Sequence, residues 1–436
     1  MNTLIKTFRK KSKSFMIEFG SGDLRRKSEL LWKTSKFFLW HLFLIPLSII
    51  IMPGIIVFTL LFDSLIRVRI GKLEDDRIGH LAHNTDIYLR RMKMGKKVWR
   101  EWHLMVCDKT ANRQLLSMIK RRLCVLEHPI FLKFYKAARG WSYPSRIWAD
   151  MPCDYGAFEE YRIVKPPLSF TEEENARGQN QLLRMGIPVE KSFVCMNARD
   201  NRYLKEQWVG GKKNDWQDQD FRNSNIDTFL PGAEYLASQG IYVLRMGHTV
   251  ADPLMTTNER IIDYATRWRS DFMDVFLTGH GKFFLGDTAG LHCVALAFGV
   301  PVAAANWIPI RYTPPGKQDL FIPKKLWDIS RKRFLTFKEI IEGVIDRWEH
   351  AEQYIRSGIE PVSNTPEEIL ELVKEMNERI DGVWTPDEED EELQMRYRAL
   401  FPPSHYSYGF HARVGADFLR KNQDLLAGKR RDVVSV

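Results

Sequence analysis

The sequence predicts an α/β fold: two Rossmann-like domains preceded by an N-terminal membrane-associated helical segment. Three observations predict it. From residue 65 onward, short apolar runs alternate with helical stretches, the pattern of a parallel sheet with crossover helices. The alternation occurs twice, and 436 residues suffice for two cores at about 100–200 residues each. Ahead of the first domain, residues 37–62 form an apolar stretch of 26 residues.

Composition narrows the class. Aromatic content of 12% excludes a disordered chain. The net charge of +10 is uneven: residues 1–36 hold ten Lys/Arg against three acids, leaving +3 for the rest. A basic arm beside an apolar segment fits an anionic lipid surface better than nucleic acid, which is not expected as a partner. Five cysteines, Cys107, Cys124, Cys153, Cys195 and Cys293, form no CxxC pair, and no Asn-x-Ser/Thr sequon occurs, so a reducing compartment is favoured.

The 37–62 stretch would reach about 39 Å as one helix, against a hydrocarbon core of about 30 Å. Pro46 and Pro53 interrupt it, and each removes a backbone donor. It reads as a kinked single span, as a helix–break–helix that enters and leaves on one side, or as a buried core helix. The basic N-terminal flank belongs on the cytoplasmic side. A cytoplasmic substrate for the rest of the chain then selects the same-side reading.

Along the soluble part, Ile66–Leu73 alternates like a strand, a polar turn follows, and Leu81–Arg91 reads as a helix. A strand at His103–Cys107 and a helix near 111–122 complete the first pattern. Thr171 and Glu174 have the spacing of a capping box opening a helix that ends near Gly186. The second pattern runs through strands at Ser192–Asn197, Ile241–Arg245, Lys282–Gly286 and Pro301–Ala305. Between them lie helices at Pro231–Gln239, Asp271–Thr278 and Thr288–Phe298. Beyond 320 the chain reads as mostly helical, with a last amphipathic helix at 412–427. The expected division is 1–64 (basic arm and membrane segment), 65–175 (first Rossmann-like domain), 190–380 (second Rossmann-like domain) and 381–436 (helices packing back on the first domain).

Open parallel sheets bind ligands beyond the carboxyl ends of their strands. Three such edges carry candidate residues. In the first, a buried strand ends in Gly286-Asp287, and Thr288-Ala289-Gly290 opens an apolar helix. Free backbone amides and the positive helix end suit a phosphate there. The competing reading is that Asp287 or Thr288 caps the helix. In the second, Arg199 follows one strand and Arg245 ends the next, each placed to fork onto a pyrophosphate unless paired with a neighbouring carboxylate. In the third, His80 starts the first-domain helix. A free imidazole titrates near pH 6.5, about right for taking a proton from a hydroxyl. Asp76 is the competing base. Arg77, Gly79 and, one turn on, Asn84 are candidates for lining the same cleft.

The segment 284–302 resembles the C-terminal signature of heptosyltransferase-type glycosyltransferases, through Asp287, Thr288, Gly290, His292, Ala295, Gly299 and Pro301. More widely, Arg77–Ala82 (RIGHLA), Asn197–Asp200 (NARD), Arg245–Gly247 (RMG) and Gly286–Gly290 (GDTAG) resemble a group of bacterial glycosyltransferases over about 66–430. The resemblance implies a GT-B fold, with two domains facing across a cleft and a nucleotide-sugar donor held mostly by the second. It implies donor contacts from Asp287, Thr288, Ala289, Gly290 and His292, with Arg199 and Arg245 alongside. It also implies inverting transfer to a glycan or lipid-linked acceptor in surface polysaccharide synthesis at the bacterial inner membrane, with the catalytic domains cytoplasmic. The base of that family is an Asp in the first strand–helix loop, where this chain offers His80 or Asp76. No cofactor and no metal are expected: His248, His280 and His292 lack ligand spacing, and Asp218-Gln219-Asp220 lies in a polar tract read as a loop. Two other classes stay open, a non-catalytic membrane scaffold on the same fold and a nucleotide-sugar epimerase.

Overall fold

The computed structural model describes residues 66–95, 100–139, 147–200, 217–250 and 252–426, with a few isolated residues between 35 and 61. The basic arm and nearly all of the 37–62 stretch lie outside the described residues. Among the described residues no helix is long and apolar enough to cross a membrane.

The chain forms two compact units. The first takes residues up to Arg77, Gly95–Ala111 and Leu116–Pro152. The second takes Ile78–Met94, Asn112–Leu115 and everything from Cys153. The units therefore interleave along the chain.

The first unit holds a four-stranded parallel sheet in the order β3-β2-β1-β4. Its strands are β1 (Ile66–Lys72), β2 (Arg100–Val106), β3 (Cys124–Leu126) and β4 (Trp148–Ala149). The helix α1 (Ile78–Met94) joins β1 to β2 in sequence but belongs to the second unit. The helix α2 (Pro129–Arg139) packs its Phe134, Tyr135 and Ala138 with Ile70, Ile147 and Trp148. Beyond β1, buried Asp75 accepts the Asp108 N–H at 2.6 Å, and its carbonyl accepts the Ala111 N–H at 2.8 Å. The acidic turn after β1 thus ties two loops at the carboxyl edge of this sheet.

In the second unit, α3 (Glu172–Arg184) leads into the sheet. Thr171 caps it and Glu174 completes the capping box, as the spacing predicts. A seven-stranded, all-parallel sheet follows, in the order β14-β10-β9-β8-β5-β6-β7. The strands are β5 (Phe193–Asn197), β6 (Tyr242–Arg245), β7 (Ile261–Ile262), β8 (Phe284–Gly286), β9 (Val302–Trp307), β10 (Leu320–Pro323) and, last, β14 (Arg413–Val414). Every residue of β5, β8 and β9 is buried. Helices cover both faces of such a sheet, which is why these strands read as continuous apolar runs. The crossovers include α4 (Leu230–Ser238), α5 (Asp271–His280) and α6 (Gly290–Phe298).

Two stretches correct the sequence reading. Residues 320–362 are not mainly helical: after β10, the strands β11 (Lys325–Asp328), β12 (Arg333–Phe334) and β13 (Ile359–Val362) form an antiparallel sheet in the order β12-β11-β13. The C-terminal stretch does not form one helix over 412–427. Arg413 and Val414 pair with β10, and two short helices, Ala416–Lys421 and Gln423–Leu426, follow. The two helices before it are α7 (Pro366–Asp381) and α8 (Glu388–Ala399), the latter opened by Asp387 in a capping box with Asp390. The Val414 N–H and C=O both bond the Gln394 amide of α8, which anchors this segment to the second sheet.

Candidate functional site

The strand order identifies where the second unit can bind a ligand. From β5 the chain winds outward through β6 and β7, then restarts beside β5 with β8 and winds the other way through β9 and β10. The β5/β8 boundary is the topological switch point, where connections leave in opposite directions and open a crevice beyond the strand ends. The residues at that crevice are Asn197, which ends β5, Ala198-Arg199 after it, and Asp287-Thr288-Ala289 after β8.

Asp287 forms its floor. The side chain is fully buried, and its Oδ2 accepts the Arg199 N–H at 2.8 Å. Burial raises the carboxyl pKa, against the Arg199 N–H and the charges of Arg199 and Lys324, which lower it. The carboxylate is thus a strut across the switch point. Asn197 does the same toward β6, donating to the Met246 carbonyl at 3.0 Å.

Above this floor stand three cations. The Arg199 guanidinium donates to the Gln219 carbonyl at 2.8 Å, and the Arg199 carbonyl accepts the Ser224 N–H at 3.0 Å. Arg222 reaches from the same polar turn to Thr288, donating from Nε to Oγ1 at 3.2 Å and from Nη2 to the carbonyl. Lys324, at the end of β10, is buried and donates to the Asn223 carbonyl at 2.8 Å and the Phe221 carbonyl at 3.1 Å. Burial pulls its ammonium down to about 8, with Asp287 opposing and Arg199 reinforcing the shift.

The start of α6 completes the arrangement. Its N-cap is Ala289, and among the described residues no side chain caps it. The capping alternative for Asp287 and Thr288 therefore does not hold: one carboxylate oxygen faces Arg199 and the hydroxyl faces Arg222. The first amides of α6 have no intrahelical acceptor, and Gly290 is exposed. Against it lies the first turn of α1. A Cβ on Gly79 would come within 2.8 Å of the Gly290 Cα, and one on Gly290 within 3.0 Å of the Gly79 nitrogen. Two helix starts, each the positive end of its dipole, thus meet through two glycines. His80, the next residue of α1, is half-buried beside them.

One turn further into both helices the environment is closed. His83 is buried, stacks on Tyr155 at 4.2 Å, and finds no hydrogen-bond partner among the described residues for either ring nitrogen. Burial first, then the neighbouring charges of His292 and His80, lower its pKa to about 3. His292 is also buried, edge-on to Trp307 at 5.2 Å, with burial taking its pKa to about 4. Both imidazoles are neutral near pH 7.

The residues expected from sequence therefore divide. Arg199, Thr288, Ala289, Gly290, Gly79 and His80 come together in the second unit. Asp287, His292 and Asn84 belong to the same region and, like Thr288 and Gly79, are buried. Arg245 is engaged elsewhere. It is 3% exposed, and its guanidinium donates to Asp263 at 3.2 Å and to the Asp252 carbonyl at 3.2 Å. Asp76 and Arg77 are exposed and belong to the first unit. Sequence reasoning missed Arg222 and Lys324. Arg222 lies in the polar tract read as a loop, which instead winds into a 3-10 helix over Gln217–Arg222; Lys324 follows the apolar Leu320–Pro323, a strand end like those that marked Arg199.

No family model matches the chain, and no curated protein does. Among solved structures, the chain is similar to a family 9 glycosyl transferase from Veillonella parvula, with 10% identity and a TM-score of 0.41 over 72% of this chain and 98% of that one. It is similar to the ADP-heptose lipopolysaccharide heptosyltransferase II of E. coli, with 13% identity and a TM-score of 0.35 over 54% of this chain and 84% of that one. It is also similar to TibC, a dodecameric iron-containing glycosyltransferase of enterotoxigenic E. coli, with 12% identity and a TM-score of 0.28 over 55% of this chain and 58% of that one.

Proposed function

We propose that this chain is a glycosyltransferase that moves a sugar from a nucleotide-diphosphate donor to an acceptor hydroxyl. The observation that carries the reading is the uncapped start of α6 at the β5/β8 switch point, with the α1 start against it at Gly79 and Gly290 and the Arg222 guanidinium at Thr288. This constellation suits a diphosphate. Backbone amides and helix dipoles favour the anion, and each charged hydrogen bond contributes about 1.5–3 kcal/mol.

In the reaction, the acceptor oxygen forms a bond to the anomeric carbon while the bond from that carbon to the diphosphate oxygen breaks. The acceptor proton passes to His80, the half-buried imidazole beside the helix starts, with Asp76 the alternative base. The leaving diphosphate takes the electron pair, and Arg199, Arg222 and the α6 amides stabilise its charge. Attack opposite the leaving group inverts the anomeric carbon. The acceptor is a lipid-linked glycan of bacterial surface polysaccharide synthesis. The basic arm and the apolar 37–62 stretch hold the enzyme at the cytoplasmic face of the inner membrane.

The test is a panel of nucleotide sugars with nucleotide release as readout, run on wild type, His80→Ala, Arg199→Ala and Arg222→Ala. Loss in all three variants supports the site. Release unchanged by Arg222→Ala and His80→Ala rejects it, and an epimerised sugar formed without acceptor replaces transfer by epimerisation. Protease protection in sealed, oriented vesicles tests the topology: cleavage of the 66–436 part from the outer face alone rejects the cytoplasmic placement.

A further inference from the structure

We propose that Lys324 is a positioning residue: its buried ammonium clamps the 217–224 turn so that Arg222 reaches the start of α6. The inference rests on the anion-binding reading above. Lys324 bonds the carbonyls of Phe221 and Asn223, the residues on either side of Arg222. With both flanking carbonyls drawn to one side, the side chain between them is directed toward Thr288, where Nε meets Oγ1 at 3.2 Å. The rest of the turn is held elsewhere: the Gln219 carbonyl by Arg199, the Gln219 amide by the Glu349 carbonyl at 2.7 Å, and the Ser224 N–H by the Arg199 carbonyl. Within it, Arg222 donates to the Gln219 side-chain oxygen at 3.2 Å and the Asn223 side-chain amide to Asp220 at 3.0 Å. Lys324 is the charged group that holds the backbone on both sides of Arg222.

Energetics favour this role over simple packing. An ammonium 3% exposed is costly to bury, and an apolar side chain of similar length fills such a position at lower cost. What a methionine could not supply is a pair of charged hydrogen bonds to the two carbonyls. A direct role on the anion is not required, since both bonds of Lys324 run into the turn.

The experiment measures inorganic pyrophosphate binding by titration calorimetry on the full chain. Wild type, Lys324→Met, Lys324→Arg, Arg222→Ala and the double variant Arg222→Ala/Lys324→Met are compared, with a thermal melt for each. Lys324→Met is expected to bind at least ~10-fold more weakly, the scale of one charged hydrogen bond lost at Arg222, with a melt below wild type because the Phe221 and Asn223 carbonyls lose their donor. Lys324→Arg recovers part of the loss. The double variant binds no more weakly than Arg222→Ala alone, because Lys324 acts through that residue. Wild-type affinity in Lys324→Met, or losses that multiply in the double variant, overturn the clamp while leaving the anion site intact. Absence of pyrophosphate binding in wild type overturns the anion-binding reading and the clamp together. If Lys324→Met does not fold, Lys324→Gln, which keeps a neutral donor, carries the same prediction with a smaller loss.

Discussion

Gly79→Ala offers a sharp test of how the site is built. A methyl group at this position would sit 2.8 Å from the Gly290 Cα, whereas carbon atoms rest at about 3.5–4.0 Å. The obstacle is backbone, so no rotamer change relieves it. The first turn of α1 and the start of α6 must separate by about 0.7 Å or more. Two terms of opposite sign decide the outcome. Alanine is favoured over glycine in a helix by about 1 kcal/mol at most, and less in a first turn. Forcing a methyl into a closed contact costs about 1–3 kcal/mol. The clash wins, leaving a net loss of about 1–2 kcal/mol, or a fall of several degrees at about 2–4 °C per kcal/mol for a domain of this size. The same displacement moves the amides and His80 away from a shared ligand, and misplacement on this scale costs up to about 100-fold in rate. The assay pairs a thermal melt with pyrophosphate titration. A variant that melts at or above the wild-type temperature and binds pyrophosphate unchanged would refute the close approach of the two helix starts.

Other outcomes follow from the same contacts. Arg245→Ala leaves Asp263 buried without its cation, so stability falls by about 3–5 kcal/mol in urea unfolding, while any protein that remains folded binds pyrophosphate as wild type does. His83 binds a proton in the unfolded chain below about pH 6.5 but in the folded protein only near pH 3. The unfolded state therefore holds more protons between those values, and stability falls as the pH drops through that window. His83→Phe, which keeps a ring against Tyr155, flattens this acid limb, and an unchanged limb would show that the ring is not buried neutral. Thr171→Ala removes a two-way capping box from α3 and lowers stability by about 1 kcal/mol without affecting ligand binding.

Much of the fold was legible because burial on both sheet faces writes itself into the sequence as apolar runs. The runs FVCMN and KFFLG read as strands, and the structure pairs β5 with β8 in parallel. The Thr171 box and the glycine after α6, at φ 75°, were also readable, since each depends on residues within a few positions of one another. The antiparallel strands at 325–362 were not, because they are only two to four residues long, too short for alternation to show. The broken C-terminal helix escaped for a similar reason. Its first residues are drawn into the edge of the second sheet by β10, which lies about 90 positions earlier in the chain.

What the sequence by itself determined was the α/β class and the strand ends that carry the candidate residues: apolar runs followed by small residues, with an arginine at two of them. Which arginine lies beside the uncapped helix start was decided only in three dimensions. Arg199 and Arg245 follow neighbouring strands of the same sheet, and local sequence treats them alike. The fold sets Asp263 against Arg245, so that cation is consumed inside the protein. It brings Arg222, from a polar stretch with no strand of its own, to the uncapped start of α6. Periodicity records whether a residue is buried, but the partner of a charge is set by chain segments far apart in sequence, and only the folded sheet brings them within bonding distance.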